Sequence, residues 1–415
     1  MALLGLCRSA WGIPMHAERG SGGPLAGPAW ASPATIGLNP AAMPLADGPR
    51  LMLEGNFLQS RHSILATRND GIDPNTGAPY EEAVSESWIP GGYAGVTWPI
   101  LDNRVSLGLA LQAPWQTDLD FRQDPSDSCL DLSTRYAAIL YQSSSLQAVP
   151  AVSVQVIKGL QIGASLSLAS DHFKILRTWD PMGTEGLAPG NEQPGFYVPY
   201  TNDVLVRTEM AGRHLEWTGG IWLSRIPYVQ VGASYTQRQP MALEGTGMTE
   251  FSEFMGGVDV PIRTTLDLPL ADELRVGLTT VDSLPVQLSL TWGVELWSSC
   301  CGERDGDAQL TINDEDDNVI GPEHGVIVEI TEEFYIPRRL HNSTNMRAGL
   351  EAQVLPNWTL GAHIGSQTHA TPDYAVDALQ QDFDIREGGL HSGIQLGNRL
   401  RLGASYTHRI STPRS

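Results

Sequence analysis

The sequence predicts an all-β protein, a transmembrane antiparallel β-barrel of about 14 strands, of which about 13 are evident in the residue pattern. Three observations lead to this fold class. Short segments alternate apolar and polar residues with period two, short turns alternate with long loops, and no apolar run approaches the ~18–20 residues of a membrane-spanning helix. The composition agrees, since 41% hydrophobic residues, 43 glycines and only 18% charged residues suit strands and turns.

The alternation is strict in several segments. In residues 105–113 every odd position is apolar and every even position is small or polar, and 160–168 repeats this pattern. It recurs at 229–236, 346–353 and 400–407, and Gly-Ala-Ser appears at Gly163, Gly232 and Gly403. Such alternation places one face of each strand in an apolar medium and the other in a polar one.

The connections between these segments fall into two classes. Short polar turns are predicted near Asp102, Lys158, Pro227, Pro356 and Gly397. Between them run long segments rich in Gly, Pro, Asp, Asn and Glu, at 61–88, 115–133, 171–205, 241–258, 299–336 and 368–387. Short turns at one end and long loops at the other are typical of an outer-membrane barrel. A soluble β-sandwich also alternates, although it rarely sorts its connections by length.

Charge and motifs exclude several functions. With 26 Lys+Arg against 47 Asp+Glu, the net charge of −21 argues against a nucleic-acid partner. The four cysteines, Cys7, Cys129, Cys300 and Cys301, form no C-x-x-C motif, so neither a zinc ribbon nor a thioredoxin site is indicated. The chain has no G-x-S-x-G, H-E-x-x-H, P-loop or G-x-G-x-x-G motif. We therefore expect no enzyme activity and no cofactor.

Residues 1–17 resemble a truncated signal segment, with a short apolar stretch interrupted by Arg8 and ending near a small-residue site. A lipoprotein signal is disfavoured, because Leu6 stands before Cys7 where a small residue is needed. We expect residues 18–50 to form a separate N-terminal unit and 51–415 to form the barrel with its long loops.

That N-terminal unit carries a family resemblance. Residues 20–27 are rich in glycine, and 31–43 contain Asn39-Pro40-Ala41; together they resemble the N-terminal plug of FadL/TodX-type outer-membrane transporters. Further similar stretches follow in order, at 107–114, 150–163, 226–236, 266–270 and 291–297, so the resemblance covers about 20–410. The chain departs from the family where 33–36 reads Pro-Ala-Thr-Ile instead of Asp-Ala-Ser, and where no closing strand with a terminal aromatic is evident. Either two strands are merged within 136–157 or the barrel closes differently.

The resemblance implies a 14-stranded barrel whose N-terminal segment folds into the lumen as a hatch. It implies hydrophobic ligands, long-chain fatty acids or aromatic hydrocarbons, that bind inside and leave sideways through an opening at a kink in the third strand. Asn39, Pro40 and Ala41 would form the gate and cover the opened backbone, and Gly108 and Pro114 would form the kink.

Each of these roles has a plainer alternative. Asn39-Pro40 would otherwise be a simple turn into the first strand, and Gly108 would be one more small residue facing the lumen, as Gly163 and Gly232 are.

Charged and histidine residues on the polar face supply further candidates. Arg347 or Arg401 would hold a ligand carboxylate through paired hydrogen bonds, or would pair with Glu351. His363 and His391 lack ligand-spaced partners, so we expect them to line the lumen and not to bind a metal.

An acidic run occupies 313–318, with Asp305 and Asp307 nearby. It lacks the order of an EF-hand, which favours a solvated loop over a calcium site.

The leading hypothesis is therefore passive transport of hydrophobic molecules by a monomer in the outer membrane of a Gram-negative bacterium, in contact with membrane lipid and lipopolysaccharide. A structural or adhesive barrel that acts through its acidic loops is the first alternative. A soluble secreted β-protein is the second.

Overall fold

A computed structural model describes residues 23–45, 48–64, 83–101, 103–114, 116–122, 139–179, 204–251, 259–281, 283–301, 308–314, 331–336, 340–370, 384–397 and 400–412. They form one antiparallel sheet of 18 strands. The strands are β1 (Arg50–Ile64), β2 (Ala83–Ile100), β3 (Val105–Gln112), β4 (Gln116–Asp120), β5 (Leu140–Ile157), β6 (Leu160–Trp179), β7 (Val204–Leu223), β8 (Val229–Arg238), β9 (Met241–Phe251), β10 (Asp259–Leu268), β11 (Glu273–Thr280), β12 (Val286–Glu295), β13 (Ala308–Asp314), β14 (Thr331–Ile336), β15 (Ser343–Leu355), β16 (Trp358–Gln367), β17 (Ile385–Leu396) and β18 (Leu400–Ser411).

Helical structure is sparse. One α-helix, α1, spans Trp297–Cys301, and two 3-10 helices span Pro33–Ile36 and Pro40–Ala42. Within the described part of the chain, no helix is long and apolar enough to cross a bilayer.

The pairing of the strands shows how they form a wall. Ladders join β1 to β2, β2 to β3, β3 and β4 to β5, β5 to β6, and β6 to β7. One half of β7 pairs with β8 and the other half with β9, so β8 and β9 are two parts of one wall strand. The same holds for β10 with β11, β12 with β13, and β14 with β15.

Ladders from β15 to β16, β17 and β18 complete the wall. Because β3–β4 and the four pairs above each share a position, the described strands occupy thirteen positions. The part of 136–157 that the structure describes is the single strand β5, so no second strand is merged there. Among the described residues no ladder joins β1 to β18, and β18 is exposed on both faces.

The alternation of faces is as the sequence predicts, and the fold class is confirmed. On β6 the apolar side chains of Ile162, Leu166 and Leu168 are exposed on the outer face. Gln161, Ser165 and Ser167, at the intervening positions, are buried on the inner face. On β7 the apolar outer band runs from Leu215 to Leu223, roughly 26 Å of strand at ~3.3 Å per residue. A band of this height matches the hydrocarbon layer that transmembrane barrels face.

Several predicted loops are shorter than expected. The stretch 171–179 belongs to β6, 241–251 is β9, and 308–314 and 331–336 are β13 and β14. The alternation continues in β6 with its polarity inverted: Phe173 and Ile175 are buried, whereas His172 and Lys174 lie on the other face. The prediction of loops is therefore wrong in these stretches. The physical reason is that a strand with apolar residues inside and charged residues outside lacks the outward apolar row by which lipid-facing strands are recognised.

Candidate functional site

Residues 23–45 form a hatch enclosed by the wall. Their neighbours extend from β2 around to β17, since Tyr93 of β2 donates a hydrogen bond to the carbonyl of Pro33 and His391 of β17 lies beside Gly23. Most hatch side chains are buried, including Ile36, Ala41 and Met43. The sheet therefore curls around the hatch, as expected for an N-terminal segment inside a barrel.

Asn39 joins the hatch to itself and to the wall. Its Oδ1 accepts a hydrogen bond from the amide of Ala41 (3.2 Å) and so caps the 3-10 helix Pro40–Ala42. Its Nδ2 donates to the carbonyl of Pro28 (2.6 Å) and to that of Ile221 on β7 (3.1 Å). Asn39 thus lies against β7, away from the third wall strand that it was expected to cover.

Inward-facing glycines let the hatch approach the wall. A methyl group on Gly163 would collide with the backbone of Ala41, and one on Gly232 would collide with the carbonyl of Pro28. Further glycines of this kind are Gly220 against Asn39, Gly277 against Pro28, and Gly349 and Gly361 against Pro24. The recurrent Gly-Ala-Ser motif therefore marks hatch contacts at two of its three sites. This role was not predicted from the sequence, although glycine at polar-face positions was the available signal.

Polar side chains of the wall also hold the hatch backbone. Trp222 Nε1 donates to the carbonyl of Ala29 (2.9 Å), and Ser289 Oγ donates to that of Pro24 (2.9 Å). Ser153 Oγ lies 3.3 Å from the carbonyl of Ala41. These bonds satisfy hatch carbonyls that would otherwise be buried without a partner.

An apolar cluster joins the hatch to the third wall strand. Ile36 and Met43 of the hatch pack with Tyr93, Ala110 and Val149 of β2, β3 and β5. Gly108 belongs to this contact, because a methyl group there would lie 2.5 Å from the sulfur of Met43. Gly108 also pairs with Thr97 and Ala151 inside an uninterrupted ladder.

The interruption of the third wall strand lies farther along, at 113–114. β3 ends at Gln112, β4 begins at Gln116, and Pro114 lies between them. Proline has no amide hydrogen to donate to a ladder, which explains a break at this position. No ladder joins β4 to β2 in the described part of the chain; instead the amide of Asp120 donates to Ser85 Oγ (2.8 Å).

A network of buried charges lines the inner face of the neighbouring strands β6, β7, β8 and β11. His214 Nδ1 lies 2.6 Å from Asp171 Oδ2, and its Nε2 lies 3.3 Å from Glu216 Oε1. Arg238 bridges Glu216 (3.2 Å) and Glu273 (2.8 Å). Arg275 Nε binds Glu273 Oε1 at 2.6 Å. None of these residues was predicted from the sequence, although the alternation in β6, β7, β8 and β11 places them on the inner face.

Arg347 and Arg401 both face carboxylates. Arg347 Nε lies 3.5 Å from Glu387 Oε1, and its Nη2 lies 3.4 Å from the carbonyl of Gly23. Arg401 Nη2 pairs with Glu351 Oε1. The structure therefore places both guanidinium groups in ion pairs, one of them with the glutamate that the sequence analysis named.

The predicted lining histidines lie beside the same carboxylates. His363 Nε2 is 3.9 Å from Glu387 Oε1, and His391 Nε2 is 3.8 Å from Glu351 Oε2. Among the described residues, no group of three or more His, Cys, Asp and Glu is arranged to hold a metal ion. Asp305, Asp307 and most of the acidic run at 313–318 lie outside the described residues, as does Cys129. Cys300 forms a disulfide.

The interior is apolar on the far side of this network. Here the inner faces of β5, β6, β7, β9 and β10 carry buried apolar side chains: Tyr141, Phe173, Ile175, Val206, Met210, Leu243, Ile262 and Leu266. Along β6 and β7 the inner face of the lumen thus has three layers, an apolar upper layer, a charged layer and the hatch. A hydrophobic molecule gains by burial only in the first of these and beside the apolar cluster of the hatch.

Comparisons with solved structures place this arrangement among known folds. A FadL homologue from Pseudomonas aeruginosa superposes with a TM-score of 0.70 at 17% identity, covering 94% of this chain and 88% of that one. The chain has the FadL/TodX-type fold. The CymD monoaromatic hydrocarbon channel gives a TM-score of 0.65 at 14% identity, covering 94% and 93% of the two chains.

The Pseudomonas putida toluene transporter TodX gives 0.60 at 14% identity, covering 97% and 96%. No family model and no curated protein matches the sequence. The predicted FadL/TodX-type fold is confirmed by these superpositions, which extend over nearly the whole chain.

Proposed function

We propose that this protein is a passive outer-membrane transporter of hydrophobic molecules, long-chain fatty acids or aromatic hydrocarbons, which enter a plugged barrel and leave sideways into the membrane. The observation that carries the proposal is the break in the third wall strand at 113–114, next to the apolar contact between hatch and wall. In hydrocarbon, broken backbone pairing is tolerated only where protein groups cover it, and the hatch cluster and Ser85 provide such cover.

The three layers of the lumen support a sideways route. An apolar ligand gains about 0.8 kcal/mol for each CH₂ that it buries, which favours the upper apolar layer. Passage straight through would cross the charged network around His214 and then the hatch. Lateral exit avoids both and delivers the ligand into the hydrocarbon phase.

We assign the gate to Asn39, Pro40 and Ala41, whose bonds to β7 and contacts with Gly163 fix the hatch. Pro114 would keep the opening free of ladder bonds, and Gly108 would allow the hatch to seal below it. In this proposal the monomer resides in a Gram-negative outer membrane, with lipid around the apolar band and lipopolysaccharide around the outer loops.

A ligand carboxylate would need a cation. Arg347 and Arg401 are the proposed contacts. To bind the ligand carboxylate, Arg347 would release its ion pair with Glu387, and Arg401 would release its ion pair with Glu351. A neutral hydrocarbon needs no such exchange.

A deletion strain tests transport directly. Cells that lack the gene, and the same cells complemented with it, are given radiolabelled palmitate or toluene, and initial uptake is measured. We expect the complemented cells to take up at least one probe faster. Equal uptake of both probes by the two strains would contradict the proposal.

The alternative of a structural or adhesive barrel is favoured by one observation, the ion pairs that fill part of the lumen. That function would survive a hatch locked to the wall. To test this alternative, the hatch is locked to the wall by a disulfide, and attachment of the cells to a surface is measured. Unchanged attachment, in cells whose uptake of both probes is also unaffected by deletion of the gene, would favour the structural or adhesive function.

A further inference from the structure

A groove lies on the outer, lipid-facing surface where β1, β2 and β3 meet, with Leu146 of β5 at its border. Its volume is about 550 Å³. Two rows of directly opposed outward residues form it: Leu53, Ala94 and Leu111 in one row, and Gly55, Gly92 and Ala113 in the next. The second row is a hollow because none of its members carries a side chain larger than methyl.

The hollow is an exception within the apolar band. Most outward positions elsewhere in the band carry Leu, Ile, Val or Trp, and a small residue there, such as Ala164, lies opposite a larger one, Val152. Leu53, Leu111 and Leu146 rise beside the groove with more than half of each side chain exposed. Small residues at these positions expose less apolar surface to lipid than the larger side chains of the band do. Their grouping at one place therefore indicates a shaped surface.

The groove begins where the ladder between β2 and β3 ends. The last bond there runs from the amide of Ala113 to the carbonyl of Gly92 (3.2 Å), and Pro114 follows. On the inner side of the same wall section, Gln112 Nε2 donates to Gln147 Oε1 (2.8 Å), and Tyr93 packs on Ile36 and Met43 of the hatch. The groove is thus the outer continuation of the strand break.

We propose that this groove is a binding site for the apolar part of the transported molecule as it leaves the barrel. The inference rests on the proposed function and adds an outer subsite to it. A volume of about 550 Å³ falls within the ~300–1,000 Å³ of sites for small ligands. The outward side chains of the groove are all uncharged, and the one carboxyl group in its lining belongs to Glu54, which would repel a ligand carboxylate. The groove therefore takes a hydrocarbon ring or chain and not a carboxylate.

Filling the groove from outside tests the site. Gly55→Leu suits this purpose, because no atom lies within 4 Å of the position that its Cβ would take. Ala94→Leu fills the neighbouring row. Ala164→Leu is the matched control, since Ala164 faces lipid on β6 within the same band but outside the groove.

Two measurements are made for each variant: uptake of radiolabelled toluene and palmitate by complemented deletion cells, and binding of the same probes to the purified protein in detergent. We expect Gly55→Leu and Ala94→Leu to slow uptake by roughly tenfold, because a blocked groove halts exit, with binding to the lumen unchanged. Ala164→Leu should match the wild type in both measurements.

The outcomes separate the two proposals. Uptake by the groove variants equal to that of an active wild type would overturn the groove and leave the transport function standing. The same result would follow if only a lipid acyl chain occupied the groove. A wild type that transports neither probe would overturn both proposals.

Discussion

At the scale of single residues, the inward glycines decide how closely the hatch approaches the wall. Gly163 on β6 faces the hatch, whereas Gly219 on the neighbouring strand β7 lies on the outer face with Trp217. A methyl group on Gly163 would meet hatch backbone, whereas one on Gly219 would touch only the Trp217 ring at 3.5 Å, an ordinary contact. This pair therefore isolates the effect of hatch contact from the effect of losing a glycine.

We expect Gly163→Ala to destabilise the folded barrel by roughly 1–3 kcal/mol, the usual cost of overpacking, and to displace the hatch. Heat-dependent gel mobility measures the first effect and ion conductance in planar bilayers the second. Gly219→Ala should change neither. Identical behaviour of the two variants would mean that the hatch does not rest on Gly163.

Asn39 allows a second test at this scale. Asn39→Ala removes the cap of Pro40–Ala42 and the donor to two carbonyls, which typically costs about 1–3 kcal/mol for buried groups left unpaired. We expect higher ion conductance through the loosened hatch. Asn39→Asp keeps the acceptor for the amide of Ala41 but has no donor for the two carbonyls, so it should also raise the ion conductance. Wild-type conductance of the Asp variant would show that the cap alone holds the hatch.

Some of this residue-level detail is readable in the sequence. Asn39-Pro40 marks a capped turn, and polar-face glycines mark close approach, but the partner of Asn39 does not follow from local pattern. That partner is a carbonyl 182 positions away on β7, fixed by how the sheet curls. For the same reason Arg401 pairs with Glu351 across two intervening strands, which no spacing along the chain indicates.

At the scale of elements, β6 and β7 cross two environments. Leu166 lies in the apolar band, whereas His172, six positions along the same face, lies beyond it and contacts Glu209 at 2.9 Å. The sequence predicted the lipid-facing half of each strand. It missed the upper half, because the apolar residues there turn inward.

We expect Leu166→Arg to impair folding into membranes by about 2–4 kcal/mol, since the charge would face hydrocarbon near mid-membrane. His172→Arg should be tolerated, because it places a cation beside Glu209 outside the apolar band. Urea titrations of refolded protein in lipid vesicles measure both. Equal losses of folding free energy in the two variants would show that the boundary of the apolar band does not lie between Leu166 and His172.

At the scale of the whole molecule, the alternation of faces, together with the sorting of short and long connections, predicted the barrel. The hatch and the FadL/TodX-type fold followed from the resemblance and are confirmed by structural superposition. The strand break at Pro114 and the adjoining groove depend on which strands pair in the wall. That pairing is set by the sheet as a whole and not by any one segment.

The central claim is that one face of the wall contacts lipid and the other shelters the hatch. Trp217 and Trp222 of β7 test it most directly, because they point to opposite faces. Trp217 is 46% exposed on the outer face, whereas Trp222 is 7% exposed and donates to the carbonyl of Ala29. The measurement is fluorescence of single-tryptophan variants in vesicles of brominated lipid. Strong quenching of Trp217 with little quenching of Trp222 is the predicted result, and equal quenching of the two would contradict it.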